Sequence, residues 1–183
     1  MTDTPMSDAR DGANPEPPVT RPTAAAVRPL SASAARVQEA MGALGFDQRV
    51  FELEVPVRTA LDAAAAVGCD VGQIAKSLIF RTPSNRAVLV ITSGANRVNE
   101  ARISLLLGEP LLRADPDFVR ERTGFAIGGI PPIGHSTPLE TFVDQDLLRW
   151  PRVWAAAGHP NALFEITPQE LARMAGGRVV EVA

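Results

Sequence analysis

Apolar residues first recur at helical spacing in SASAARVQEAMGALG, where Val37, Ala40, Met41 and Leu44 share one face, Ser31 or Ser33 supplies a cap and Gly45 a stop. The period then falls to two in RVFELEV, with Phe51, Leu53 and Val55 on one face and Glu52 and Glu54 on the other, the pattern of a half-buried strand. TALDAAAAVG predicts a second helix, capped by Thr59 with Asp62 as its reciprocal partner and stopped by Gly68. SLIFR (77–81) and AVLVIT (87–92), separated by the turn formers of TPSNR, predict a hairpin. Helices follow in VNEARISLLLG, ending at Gly108, and in DPDFVRERTG, where Asp115 caps, Pro116 takes the first helical position and Gly124 closes. FAIGGIPPIGH is irregular after FAI.

The remaining pattern predicts a strand in LETFV, a short helix from Asp144 to Leu148 capped by Asp144, and a strand in VWAAAG. A loop GHPN leads to a strand in ALFEI, then a helix opened by Thr167, Pro168 and Glu170 and ended by Gly176 and Gly177, and a last strand in RVVEV. About seven strands and five or six helices alternate irregularly, unlike a doubly wound parallel sheet. The expectation is an α+β fold: a single compact domain with a mixed, partly barrel-like β-sheet surrounded by helices.

Residues 1–29 break this patterning. They hold six prolines, four acids and three arginines with almost no large apolar residue, too little to offset the entropy of ordering them. They are expected to form a disordered Pro-rich leader, with the folded domain spanning residues 30–183. The chain of 183 residues is 45% hydrophobic and only 5% aromatic, so its core is mainly aliphatic. A net charge of -3 argues against a broad basic surface gripping many phosphates; a polynucleotide would be touched locally. One cysteine and two separated histidines leave no disulfide, no thiolate cluster and no metal site to expect. With no signal-like or membrane-spanning apolar run, the expectation is a cytoplasmic protein.

Against this background one basic residue stands out. Seventeen of the eighteen are arginine, and Lys76 alone is lysine, set in the apolar run IAKSLIF. A lysine there can simply lay its stem on the core and lift its ammonium into water. It also offers what arginine does not: a compact charge with three rotatable donors and a pKa that responds to burial. The segment GGIPPIG, from Gly128 to Gly134, describes a tightly turning and then stiffened backbone, either a ligand-approaching loop or a structural connection. Ser93 and Gly94 follow a strand and precede a helix, where ligands often sit, although Ser93 lies outside the GxSxG pattern of a hydrolase elbow. In GHPN, His159 and Asn161 are candidates for hydrogen bonds to a polar ligand or for simple solvation. Cys69, with no obvious base nearby, reads as a small buried residue.

Taken in order, GQIAKSLIFR, AVLVITSGANRVN, TGFAIGGIPPIGH and GHPNALFEITPQEL resemble the YbaK/EbsC family of aminoacyl-tRNA deacylases, freestanding relatives of the prolyl-tRNA synthetase editing domain. The resemblance covers roughly residues 31–183. It implies trans-editing: hydrolysis of the ester joining a small wrong amino acid, such as alanine or cysteine, to tRNA(Pro), with neither metal nor cofactor. It makes Lys76 the catalytic residue and the stretch containing Gly128, Gly129, Pro131 and Gly134 the lining of the aminoacyl pocket. Ser93, Gly94, His159 and Asn161 complete the expected substrate-binding set. The partners it implies are the 3' end of misacylated tRNA and prolyl-tRNA synthetase, with no membrane.

An aminoacyl ester is already activated, so positioned water and oxyanion stabilisation by an ammonium and backbone donors suffice. Two other readings use the same residues: a non-catalytic module holding an aminoacyl-tRNA end, an amino acid or a nucleotide, and a Schiff-base enzyme using Lys76 in a dry pocket.

Overall fold

The structure, a computed structural model, describes Pro22 and residues 27–183. Its helices begin where side chains satisfy the free N–H groups of the first turn. Helix α1 (Ala32–Ala43) is capped by Ser31, α2 (Ala60–Val67) by the reciprocal Thr59 and Asp62 pair, and α3 (Glu100–Leu107) by Asn99. Helix α4 (Pro116–Thr123) is capped by Asp115, and α5 (Pro168–Ala175) by Thr167. Helix α1 buries Ala34, Val37 and Met41, but Leu44, expected on that face, is 57% exposed. The helix has ended by then, so helical spacing no longer directs the side chain to the core.

Nine strands form one mixed sheet among the described residues: β1 (Val27–Arg28), β2 (Val50–Leu53), β3 (Ile74–Arg81), β4 (Ala87–Ser93), β5 (Leu112–Arg113), β6 (Glu140–Asp144), β7 (Val153–Ala156), β8 (Ala162–Ile166) and β9 (Arg178–Val180). Their spatial order is β1, β2, β8, β7, β3, β4, β6, β9, with β5 added beside β3. The expected hairpin is present as β3 and β4, whose turn places Asn85 at a φ of 65°. Strands β3 and β7, β4 and β6, and β6 and β9 run parallel; the other pairs are antiparallel.

Helices lie on both faces of this sheet. Residues of α1, α4 and α5 share one cluster with Ala75, Ile79, Leu89 and Phe164. Helix α2 packs with Leu53, Ile74, Trp154 and Leu163, and Ile103 of α3 with Phe80, Val90 and Phe142.

Strand β3 has a divided edge. Ile74 and Ala75 pair with β7, while Phe80 and Arg81 pair with β5. Between them, Lys76 to Ile79 have a strand partner only on the β4 side. The free edge left by this split is where the cavity described below opens.

Two departures from the sequence expectations meet at β1. Val27 and Arg28 fall within the stretch expected to be a leader, yet they pair with Leu53 and Glu52 of β2. The rest of that stretch, residues 1–21 and 23–26, lies outside the described residues. Glu52, expected on a solvated face, is 1% exposed, whereas Val55 on the supposed core face is 52% exposed. The physical reason is partner supply: Arg28 Nε donates to Glu52 at 3.0 Å and the Ser31 N–H donates at 2.7 Å. A carboxylate with such partners tolerates burial, which alternation alone does not reveal.

Candidate active site

A cavity of about 670 Å³ opens along the free edge of β3. Ala75, Ser77 and Ile79 line it together with Val119 of α4, Ala114 and Ile130; Ala60 and Ala63 of α2 with Leu163 add further apolar surface. Among the described residues three charged ones reach it, Lys76, Arg58 and Arg113, and no carboxylate does. In an overall acidic chain, the charges that the described residues present to whatever enters are cationic.

Lys76 is tethered. Its Nζ donates to the carbonyl oxygen of Asn96 at 2.8 Å and to that of Gly94 at 3.2 Å. An ammonium has three donors, so one is left for a ligand. Burial, reinforced by the nearby Arg97 charge, lowers the Lys76 pKa from its ordinary value, while Asp144 acts in the opposite sense. Two carbonyl acceptors favour the protonated side chain, a poor arrangement for an amine nucleophile. The geometry thus supports a fixed cation rather than Schiff-base chemistry.

The turn holding Lys76 is itself held by Asp144 at the end of β6. Asp144 is 1% exposed. Its Oδ2 accepts from Ser93 N–H at 3.0 Å, from Thr92 Oγ1 at 3.1 Å and from the Asn96 side chain at 2.9 Å. Its Oδ1 accepts from Asp146 N–H at 3.0 Å, which is the helix cap expected from the sequence. Asn96 also donates to Asp146 at 2.8 Å. Among the described residues no group of three or more potential metal ligands forms. The sequence could show Asp144 as a cap, but not that a second strand would bring residues 92–96 onto its other oxygen.

The other expected residues separate by position. Gly94 belongs to the Lys76 turn, and any side chain there would overlap the Val71 carbonyl oxygen. Ser93 is buried and donates to the Gly72 carbonyl at 2.8 Å, standing behind the turn rather than in the cavity wall. Gly128 lines the cavity. Gly129 is pressed against the loop of His159: a Cβ on it would lie 2.7 Å from the His159 carbonyl carbon. The Gly158 N–H donates to the Gly129 carbonyl at 2.8 Å, joining the two loops into one wall. Pro160, between the two residues expected from GHPN, is the member of that loop lining the cavity.

Pro131 is buried, its carbonyl bonded to His135 Nε2 at 2.8 Å, and burial lowers the His135 pKa. Gly134 and His135 lie at a second, shallower hollow on the far side of the glycine loop. His159 does not line the main cavity; its Nδ1 accepts from Asn161 N–H at 3.2 Å and lies 3.6 Å from Glu52. The Asn161 side chain accepts from Val57 N–H at 3.0 Å and so fixes the segment carrying Val57, Arg58 and Thr59 along the cavity. Cys69 is set apart at the end of α2, its thiol pushed up to about 11 by burial, with Asp70 and Glu165 adding to the effect. It is a thiol rather than a thiolate at neutral pH.

Three cavity residues carried no sequence signal of their own. Arg58 and Arg113 are indistinguishable from the other arginines in the sequence. Ser77, next to Lys76, has a hydroxyl shielded from solvent with no hydrogen-bond partner, an unusual state for a polar atom.

A family model described as an aminoacyl-tRNA editing domain matches residues 54–174. The chain is 32% identical over 130 residues to the uncharacterized protein YwhH of Bacillus subtilis (strain 168), covering 71% of this chain and 83% of that one. It is 28% identical over 116 residues to a proline–tRNA ligase of Brachyspira hyodysenteriae, covering 62% of this chain but only 20% of the ligase. Among solved structures, one described as a proposed trans-editing enzyme for prolyl tRNA synthetase shares 50% identity at a TM-score of 0.81, covering 84% of this chain and 98% of that one. No helix among the described residues is long and apolar enough to cross a membrane.

Proposed function

The chain belongs to the aminoacyl-tRNA editing domain family, and from that membership we propose that it hydrolyses the ester joining a small, wrongly attached amino acid to tRNA(Pro). The observation that carries the reading is Lys76, a lysine held by two carbonyls at the open edge of a strand beside an otherwise mainly apolar cavity. The proline–tRNA ligases among its relatives support tRNA(Pro) as substrate and the ligase as a partner. The solved relative described as a proposed trans-editing enzyme supports action in trans. Alanine and cysteine are the amino acids of choice, and the cytoplasm is the compartment where such a substrate is met.

In this reading the 3' terminal adenosine enters along the free edge of β3 with its aminoacyl group against the wall built by Gly128, Ile130 and Pro160. Water adds to the ester carbonyl carbon, assisted by the substrate's α-amine or neighbouring ribose hydroxyl. Negative charge gathers on the carbonyl oxygen, where the free N–H of Lys76 meets it. A fixed ammonium in an apolar cavity is worth more than one in water, because it needs no reorganisation as the charge develops. The tetrahedral species collapses by breaking the bond to the ribose oxygen, which takes a proton, and the free amino acid leaves. The joined glycine and GHPN loops limit the size of residue admitted, so that small residues are cleared and bulkier ones spared. Ser93 supports the Lys76 turn and Asn161 the Arg58 segment, while His159 and Gly129 stiffen the wall.

The test is a panel of misacylated tRNAs that includes alanyl- and cysteinyl-tRNA(Pro), with Lys76→Ala alongside. The expected result is deacylation well above background, abolished in a variant with an unchanged melting temperature. Binding of the tRNA end with no turnover would make this a non-catalytic module. Full activity in Lys76→Ala would remove the lysine from the mechanism.

A further inference from the structure

Among the described residues the two arginines at the cavity form no ion pair. Arg58 precedes α2 and Arg113 ends β5, and both side chains are exposed and line the cavity. Several other arginines are neutralised or stacked: Arg28 on Glu52, Arg86 on Glu109 and Glu140, Arg102 on Glu181, Arg36 over Phe125, Arg81 over Phe118; Arg97, Arg120 and Arg152 are without such a contact among the described residues, but they do not line the cavity. Arg58 and Arg113 take part in no ion pair and lie over no aromatic ring among the described residues. Asp62, four residues on, feels the Arg58 charge but spends its hydrogen bonds on the backbone N–H groups of Arg58 and Thr59 and forms no ion pair with the guanidinium.

Their placement follows the divided edge of β3. Arg113 pairs with Phe80, four residues beyond Lys76, or about 13 Å along an extended strand. Arg58 is carried by the segment that Asn161 anchors through Val57. Two exposed guanidiniums from separate elements thus reach the same cavity as a partly buried ammonium, and no carboxylate among the described residues lines it. Guanidinium suits phosphate oxygens, which accept two of its N–H groups at once. Because the chain as a whole is acidic, an anion is attracted locally, at an opening such as this one, rather than over a broad surface.

We propose that Arg58 and Arg113 form a phosphodiester-binding subsite at the cavity mouth, holding the backbone of the single-stranded 3' end while Lys76 works at the ester. The subsite rests on the deacylase reading for the identity of the strand and deepens it by naming the groups that grip the nucleic acid. Because the arginines act on phosphates rather than on the reacting atoms, their loss affects the capture of tRNA and spares an ester that carries no phosphate.

The experiment compares Arg58→Gln, Arg113→Gln and the double variant with the unaltered protein on alanyl-tRNA(Pro) and on alanyl-adenosine lacking phosphates. Expected for the double variant is a several-fold or larger rise in KM for the tRNA with kcat nearly unchanged, and unchanged kcat/KM for the minimal ester. The slope of log kcat/KM against log salt for the tRNA should flatten by roughly 0.7 per guanidinium removed. An unchanged KM and salt slope, or an equal loss on both substrates, overturns the subsite. Fluorescence anisotropy with an unacylated oligonucleotide ending in CCA provides a readout independent of turnover. Salt-sensitive binding weakened in the double variant supports the subsite even if neither ester is hydrolysed; binding equal to that of the unaltered protein, or no binding at all, overturns it.

Discussion

Lys76 and Asp144 do not bond to each other, yet both close on Asn96, whose carbonyl accepts from Lys76 at 2.8 Å while its side chain donates to Asp144 at 2.9 Å. A buried carboxylate on β6 thereby positions a cation on β3 through one residue of the turn after β4. Asp144 also opposes the burial and the Arg97 charge that lower the Lys76 pKa. The relay serves both geometry and charge.

A pH profile separates those two roles. The proposed mechanism needs the ammonium, so activity is present below the Lys76 pKa and declines as pH rises through it, at a lower pH than for an ordinary lysine. Asp144→Asn removes a charge that keeps this pKa up, moving the alkaline limb to lower pH. Arg97→Gln removes a repelling charge and moves the limb to higher pH. Profiles of kcat/KM on a phosphate-free aminoacyl ester measure this; superimposable alkaline limbs would mean that Lys76 does not titrate in the active range.

Ser77→Ala tests the unpartnered hydroxyl. Removing it relieves an unsatisfied polar atom, so stability should stay level or rise by about 1 kcal/mol in urea unfolding. If substrate supplies the missing hydrogen bond, kcat/KM for the aminoacyl ester falls roughly three- to tenfold. A loss of stability with full activity would contradict both statements.

Glu52 links stability to acid. Burial acts to raise its pKa, but hydrogen bonds from Ser31 and Arg28, with the His159 charge, outweigh this and leave it below the ordinary value of 4.5. The associated stabilisation is fully present above 4.5 and is lost as pH falls through the lower folded value. Glu52→Gln should cost about 2 kcal/mol at neutral pH and flatten the fall in stability on acidification. Urea midpoints measured across the acid range would decide it, and parallel curves would show that another group controls the acid response.

Cys69→Ser should leave deacylation unchanged, because a thiol pushed up to about 11 by burial supplies almost no thiolate at neutral pH. Alkylation by iodoacetamide should likewise be slow until the pH is strongly alkaline. Loss of activity in the serine variant would bring the thiol into the mechanism.

The helices were legible in the sequence because their starts are local chemistry: the side chains of Ser31, Thr59, Asp115 and Thr167 reach only three residues along the chain. The two-residue strands β1 and β5 were not, since two residues are too few to show a strand period and their pairing is set by β2 and β3. Alternation places Glu52 in solvent because it records polarity and not the arrival of Arg28 and Ser31 from elsewhere. Lys76 was conspicuous by composition, whereas Arg58 and Arg113 are distinguished only by where the fold carries them. The same limit applies to Ser77: an orphaned hydroxyl is a property of surroundings, invisible in IAKSLIF.

The carbonyl of Gly129 and the N–H of Gly158 bind one cavity wall together, while Lys76 is moored to a different turn, through strands on the other side of β3. Gauge and tool are therefore mounted separately. A descendant of this protein could acquire a new amino-acid preference by exchanging Ile130 or Pro160 without disturbing the cation, and drift in the cation's mooring would blunt turnover without altering what is admitted. Such a division of labour leaves selectivity open to evolutionary change at little risk to the chemistry.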